Sequence, residues 1–151
     1  MTITQIFQDK TAVTRTILKG LPQWFGVPEA IEKYAAEAEH LPMFGKVIGN
    51  SCAGFLTLKS SRPGVAEIHV VGVRPEWRRR GIGTELIDVA IDFERGRGTA
   101  LLIVKTLGAS ENDPFYAETR AFYDAMGFLA VEEVPNYWNG TRAMLLMANP
   151  L

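Results

Sequence analysis

Apolar positions along the chain follow two spacings, and the places where the spacing changes mark the elements. Residues 2–7 predict a short first strand, and residues 10–19 a helix that Asp9 caps and Gly20 ends. Pro28 suits the first turn of a second helix. Its apolar positions Ile31, Tyr34, Ala35 and Ala38 share one face, and Pro42 stops it. Residues 43–49 and 52–59 read as strands joined by Gly49-Asn50-Ser51, with a further turn over 60–64. Residues 65–73 form a strongly apolar strand. Ile82, Leu86, Val89, Ala90 and Phe93 then stripe a helix over 81–95 that Gly96 and Gly98 end. The run 99–106 is almost continuously apolar, as suits a strand buried on both faces. Residues 115–126 give the last helix, with Gly127 as its left-handed cap. Strands 128–134 and 141–148 close the chain around the tight-turn pair Asn139-Gly140.

Strand 65–73, helix 81–95 and strand 99–106 make a βαβ unit, which predicts that the two strands are parallel and adjacent. The full order is β-α-α-β-β-β-α-β-α-β-β. It implies an α+β, mixed-sheet domain covering 1–151, not an alternating dinucleotide-binding pattern.

Composition narrows the function classes. With 47% apolar and 22% charged residues, the chain can bury a core. A net charge of −1 gives no global field toward nucleic acid or an anionic membrane. The single cysteine, Cys52, excludes an intrachain disulfide and a cysteine metal cage, and its apolar run reads as core. His40 and His69 lie far apart, and no ordinary zinc spacing is present. No apolar run reaches the ~20 residues of a membrane span, and the N-terminus lacks a leader pattern, so a cytoplasmic location is expected.

Arg78-Arg79-Arg80-Gly81-Ile82-Gly83 lies where a buried strand passes into a helix. Glycines allow a tight turn and close backbone approach. The first helical amides lack internal partners, and the helix dipole favours an anion there. Taken alone, such a turn also fits a plain loop, and the basic triplet a solvated surface or a nucleic-acid patch. It is not a Walker loop, because no Gly-Lys-Ser/Thr follows. Leu86 stands where a dinucleotide fingerprint has its third glycine.

The segment Val71-Gly72-Val73-Arg74-Pro75-Glu76-Trp77-Arg78-Arg79-Arg80-Gly81-Ile82-Gly83-Thr84-Glu85-Leu86 resembles motif A of the GNAT superfamily of acetyl-CoA-dependent N-acetyltransferases. Phe122-Tyr123-Asp124-Ala125-Met126-Gly127-Phe128 resembles that superfamily's motif B. The likeness covers almost the whole chain. It implies a mostly antiparallel sheet of about seven strands flanked by four helices, with the parallel pair 65–73 and 99–106 splayed at its ends. Carried over residue by residue, the backbone amides of Arg79, Arg80, Gly81, Gly83 and Thr84 would hold the coenzyme A pyrophosphate, with Arg78 opening the motif. The backbone of Val71 and Val73 would pair with the pantetheine arm, and Gly72 would permit a bulge. Tyr123 would protonate the departing thiolate, although its helical spacing with Phe122 and Met126 equally fits an aromatic core face. The chain departs from the family where Asn-x-x-Ala usually stands: Tyr116 and Thr119 occupy those positions. Asn112 is the candidate for the missing amide contact, and Tyr116 for lining the coenzyme.

An amine attacks a thioester only when neutral, and a lysine-like ammonium has a pKa of ~10.4, so a base helps. Glu67 is one candidate, set by strand alternation on the same face as His69, Val71 and Val73; an ion pair is the competing reading. His69 is the second candidate. In the resembled family the acceptor side is built by the first two helices and the last hairpin. Here those bring Trp24 and Phe25, and Tyr137 and Trp138, which suit an amine or an apolar side chain but equally a core plug or a homodimer contact. The expected reaction is acetyl transfer from acetyl-CoA to a primary amine of a small molecule or peptide, with no metal, nucleic acid or membrane. A non-catalytic acyl-CoA-binding module is the alternative.

Overall fold

The computed structural model describes residues 2–151. One seven-stranded sheet runs through it, built from β1 (Thr4–Ile6), β2 (Met43–Ile48), β3 (Ser51–Arg62), β4 (Val65–Val73), β5 (Leu101–Leu107), β6 (Leu129–Trp138) and β7 (Arg142–Pro150), in the order β1-β2-β3-β4-β5-β7-β6. Neighbours are antiparallel except β4 and β5, which pair in parallel across the βαβ unit as the sequence predicts.

The four helices are α1 (Lys10–Lys19), α2 (Pro28–Ala38), α3 (Ile82–Gly96) and α4 (Pro114–Ala125). They divide between the two faces of the sheet. On one face α3 brings Leu86, Ile87 and Ala90, and α4 brings Tyr123, onto Leu56, Ile68 and Val104. On the other, α1 and α2 bring Ile17, Leu18, Ile31 and Ala38 onto Phe55 and Val70. Each helix buries one stripe against a two-sided sheet, so the central strands read as unbroken apolar runs.

Several expectations need correction. Asp9 makes no side-chain cap; it sits in the left-handed region at φ 58° and leaves that work undone. The side-chain cap forms at Asp113, which accepts from the amides of Phe115 at 2.9 Å and Tyr116 at 3.2 Å. The turn expected over 60–64 shrinks to Pro63-Gly64, because β3 keeps pairing with β4 as far as Arg62. β6 runs on past 134 to Trp138, with a register break after Val134 and Asn136 at φ 56°.

The bulge in β4 also lies elsewhere. Gly72 pairs regularly with Phe55, whereas the register steps from Thr57↔Val70 to Leu58↔Ile68, leaving His69 as the extra residue. A bulge shifts the pleat by one residue and reverses which face later side chains occupy. Val71 and Val73 therefore pack with Ile68 on the α3 side. His69 instead meets Tyr34 and Glu37 of α2, on the side where Val70 is buried. The shared face expected for Glu67, His69, Val71 and Val73 does not exist.

Candidate active site

The parallel ladder stops at Ile68↔Val104, one residue before the bulge. Beyond it each strand keeps its other neighbour, β4 pairing with β3 as far as Val73 and β5 with β7 as far as Leu107. The gap-facing edges of both arms are thus left without a strand partner, and they border a cleft of about 490 Å³. The cleft passes through the sheet, from the start of α3 to the loop between α1 and α2.

At the α3 end, Arg79 at φ 61° and Gly81 at φ 80° bend the chain into the helix, and Gly81 caps it without any side-chain bond. The first intrahelical bond is donated by Glu85 to Gly81 at 3.0 Å, so the amides of Ile82, Gly83 and Thr84 are free. Gly83 packs closely on α4: a Cβ there would stand 3.2 Å from Phe122 Cζ, so that ring would have to give way by a few tenths of an ångström. Arg78, Arg79, Gly81, Gly83 and Thr84 line the cleft, together with Val71 and Val73 of β4. Arg78 and Arg79 face Glu118, with Nη2 atoms 3.4 and 3.7 Å from its carboxylate. Arg80 turns aside onto the ring of Trp77 at 5.0 Å and is not part of the wall.

Tyr123 lines the same part of the cleft. It is 4% exposed, packed between Phe122 and Phe128, and burial pushes its phenol far above the ordinary value. On the opposing arm, Thr106 Oγ1 also borders the cleft and is, among the described residues, the one buried side-chain polar atom without a hydrogen bond. An orphaned hydroxyl in a cleft wall is a group that awaits a ligand or water partner.

Tyr116 lines the cleft as well; its hydroxyl donates to the Trp24 carbonyl at 2.8 Å, and burial pushes it up to about 12. Asn112 ends a short turn at φ 54° and stands off the wall. Trp24 is tied to α4 again, its Nε1–H donating to Thr119 Oγ1 at 3.1 Å, and Arg78 stacks on its indole at 4.7 Å. The loop carrying Trp24 and Phe25 is thereby fastened across one side of the opening.

On the α2 side the wall contains Phe25, Tyr34, His69, Lys105 and Trp138. His69 Nε2–H donates to Glu37 Oε1 at 3.1 Å, leaving Nδ1 as the free ring nitrogen. Burial, with the charges of Glu37 and Glu67, raises the Tyr34 phenol. Glu67 is 6% exposed, lies behind the wall and pairs with Lys105 Nζ at 3.5 Å. Desolvation pulls the Lys105 ammonium down, but the Tyr137 hydroxyl and the Glu67 charge outweigh it, and the net shift is upward. Tyr137 stands just outside the wall, edge-on to Trp138 at 5.4 Å.

The sequence reading missed Tyr34, Glu37, Lys105 and Thr106. Lys105 was detectable as the one charge inside the apolar run Leu101-Leu102-Ile103-Val104-Lys105-Thr106-Leu107. Glu37 had a weaker signal, its position one helical turn after Tyr34.

Residues 11–128, which carry the parted strands and the glycine-turned start of α3, match the Acetyltransferase (GNAT) family. The chain belongs to it. It is 37% identical over 79 residues to the N-alpha-acetyltransferase RimI of Mycobacterium tuberculosis, an overlap of 52% of this chain and 44% of that protein. The chain spans less than half the length of the curated relatives it matches. Among solved structures, it superposes on the ribosomal-protein-S18-alanine N-acetyltransferase of Escherichia coli with a TM-score of 0.78 at 22% identity, covering 99% of this chain and 92% of that one. It superposes equally, with a TM-score of 0.78 at 17% identity, on an aminoglycoside 6'-N-acetyltransferase complexed with coenzyme A, covering 99% and 97%.

Proposed function

We propose that this chain transfers an acetyl group from acetyl-CoA to a primary amine. The observation that carries the reading is one cleft, opened by the end of the β4–β5 ladder, that joins the free amides of α3 to Tyr123. The residues present fit the donor. The uncapped amides of 82–84, with Arg78 and Arg79, suit a pyrophosphate. The unpaired β4 edge at Val71 and Val73 suits an extended pantetheine arm, and the orphaned Thr106 hydroxyl suits a polar group along it. A family fold neighbour bound to coenzyme A supports the same donor.

Acetyl-CoA supplies the activated acyl group and its thiol leaving group. Within the chain, Glu118 occupies Arg78 and Arg79, and it must yield them to a diphosphate, which offers more charge. Tyr123 lines the gap with its phenol protonated, and it is the group placed to give a proton to the departing thiolate. His69 serves as the base for the amine, oriented by Glu37. Glu67 serves as the counter-charge of Lys105 and not as the base, because it is paired and lies behind the wall.

The test follows thiol release from acetyl-CoA over a panel of amines. Tyr123→Phe is expected to lower kcat by roughly 10²–10⁴-fold while acetyl-CoA binding persists. Equal turnover by wild type and variant would remove Tyr123 as the acid.

A further inference from the structure

The acceptor half of the cleft has a charge pattern of its own. Lys105 is the one permanently cationic side chain in that part of the wall among the described residues, and no carboxylate lies beside it in the wall. The single acid of the whole lining, Glu118, belongs to Arg78 and Arg79 at the donor end. Lys105 covers Glu67 from the cleft, so an entering ligand meets the ammonium and not the carboxylate. That ammonium has three N–H donors. Glu67, through one oxygen at 3.5 Å, and Tyr137, 5.8 Å from ring centre to Nζ, leave capacity for a third partner.

Position sharpens the point. Ile68↔Val104 is the last parallel pair, and the next residue on each strand is His69 and Lys105. The two therefore flank the first open position of the gap, about one interstrand spacing of ~4.8 Å or slightly more apart at the backbone. Both side chains work on the α2 side, His69 against Tyr34 and Lys105 toward Tyr137. His69 and Lys105 thus come from facing strands at the mouth of the same gap, and both line its wall. Around them Phe25, Val27, Ala30 and Trp138 make the wall apolar.

Resting on the function proposed above, we infer that the acceptor is a free amino acid with an apolar or aromatic side chain, its amine at His69 and its carboxylate on Lys105. A polyamine or aminoglycoside would meet a cation where it needs acids. A peptide N-terminus carries a neutral amide in place of the carboxylate and gives the remaining Lys105 N–H donor no charged partner. In the transfer the ammonium gives one proton to His69, and the neutral nitrogen bonds the acyl carbon as the C–S bond breaks. Tyr123 protonates the sulfur, and the second proton lost from nitrogen restores Tyr123. The products are an N-acetyl amino acid and free coenzyme A, with one proton released to solvent.

The experiment measures kcat/KM for L-phenylalanine and L-leucine, for their carboxamides and for a short peptide beginning with each. The wild type is expected to prefer the free acids by about 10- to 100-fold, the weight of a charge-assisted hydrogen bond. Lys105→Met is expected to bring the acid-to-amide ratio close to one, and Lys105→Arg to retain most of it. Because Lys105→Met strands the buried Glu67 charge and can unfold the chain, Glu67→Gln/Lys105→Met is measured alongside, and the same collapse is expected. Amides or peptides acetylated as well as acids, or a ratio unmoved by both methionine variants, overturn the inference and leave the acetyltransferase standing. Calorimetric binding of acetyl-CoA without turnover of any amine overturns the proposed function, and this inference with it.

Discussion

Single residues carry the chemistry, and their surroundings set its pH range. Burial raises the phenols of Tyr116 and Tyr123, so the folded chain binds these protons more tightly than the unfolded one. The unfolded value is ~10. The stability these groups contribute is therefore fully present below pH ~10 and is lost as pH climbs through that value toward the raised folded values. Urea titrations from pH 7 to 11 are expected to show a steep alkaline loss for the wild type and a shallower one for Tyr116→Phe. An equal slope for both would show that folding does not raise the Tyr116 phenol. Tyr123 and the motif turn were legible from sequence, because each is spelled by neighbouring residues. The Arg80 side chain packs on Trp77, which leaves the reading of its backbone amide untouched, and Asn112 stands off the wall.

Elements owe their limits to local chemistry more than to the cleft. The Asp113 cap starts α4 just where Tyr116 must reach the Trp24 carbonyl and Thr119 its indole. Asp113→Ala is expected to cost about 1 kcal/mol in a denaturant titration, the usual weight of a lost N-cap. A loss near zero would place the start of α4 under the control of Pro114 and packing alone. The helices and most strands followed from apolar spacing, since that spacing is what each element buries. The cap at Asp9 failed because its backbone entered the left-handed region, a choice that neighbouring packing makes and composition does not encode. β3 outran its expected end because cross-strand pairing continued through turn-forming Ser60, and β6 because pairing with β7 resumes at Trp138 beyond the register break after Val134.

At the scale of the whole molecule, the parted sheet borders a cleft, and a ligand that binds only the native state stabilises it. Acetyl-CoA at about a hundredfold over its Kd is expected to add about 2.7 kcal/mol, raising Tm by roughly 5–10 °C for a chain of this size. Thermal denaturation with and without acetyl-CoA checks this; an unmoved Tm at saturating ligand would dissociate the cleft from the donor. Among the described residues no helix is long and apolar enough to cross a membrane.

The sequence by itself determined the order of elements, the parallel βαβ unit, the glycine turn at Arg78–Gly83 and the tyrosine behind it. All of these depend on residues close together in the chain. Tertiary structure decided which way β4 faces. The extra residue at His69 exists only in register with β3, and it moved His69 away from Val71 and Val73 and toward Glu37. It also set Lys105 against Glu67, a pairing across strands that α3 separates in the chain. Periodicity reports the faces of a regular strand, and one bulge suffices to exchange them.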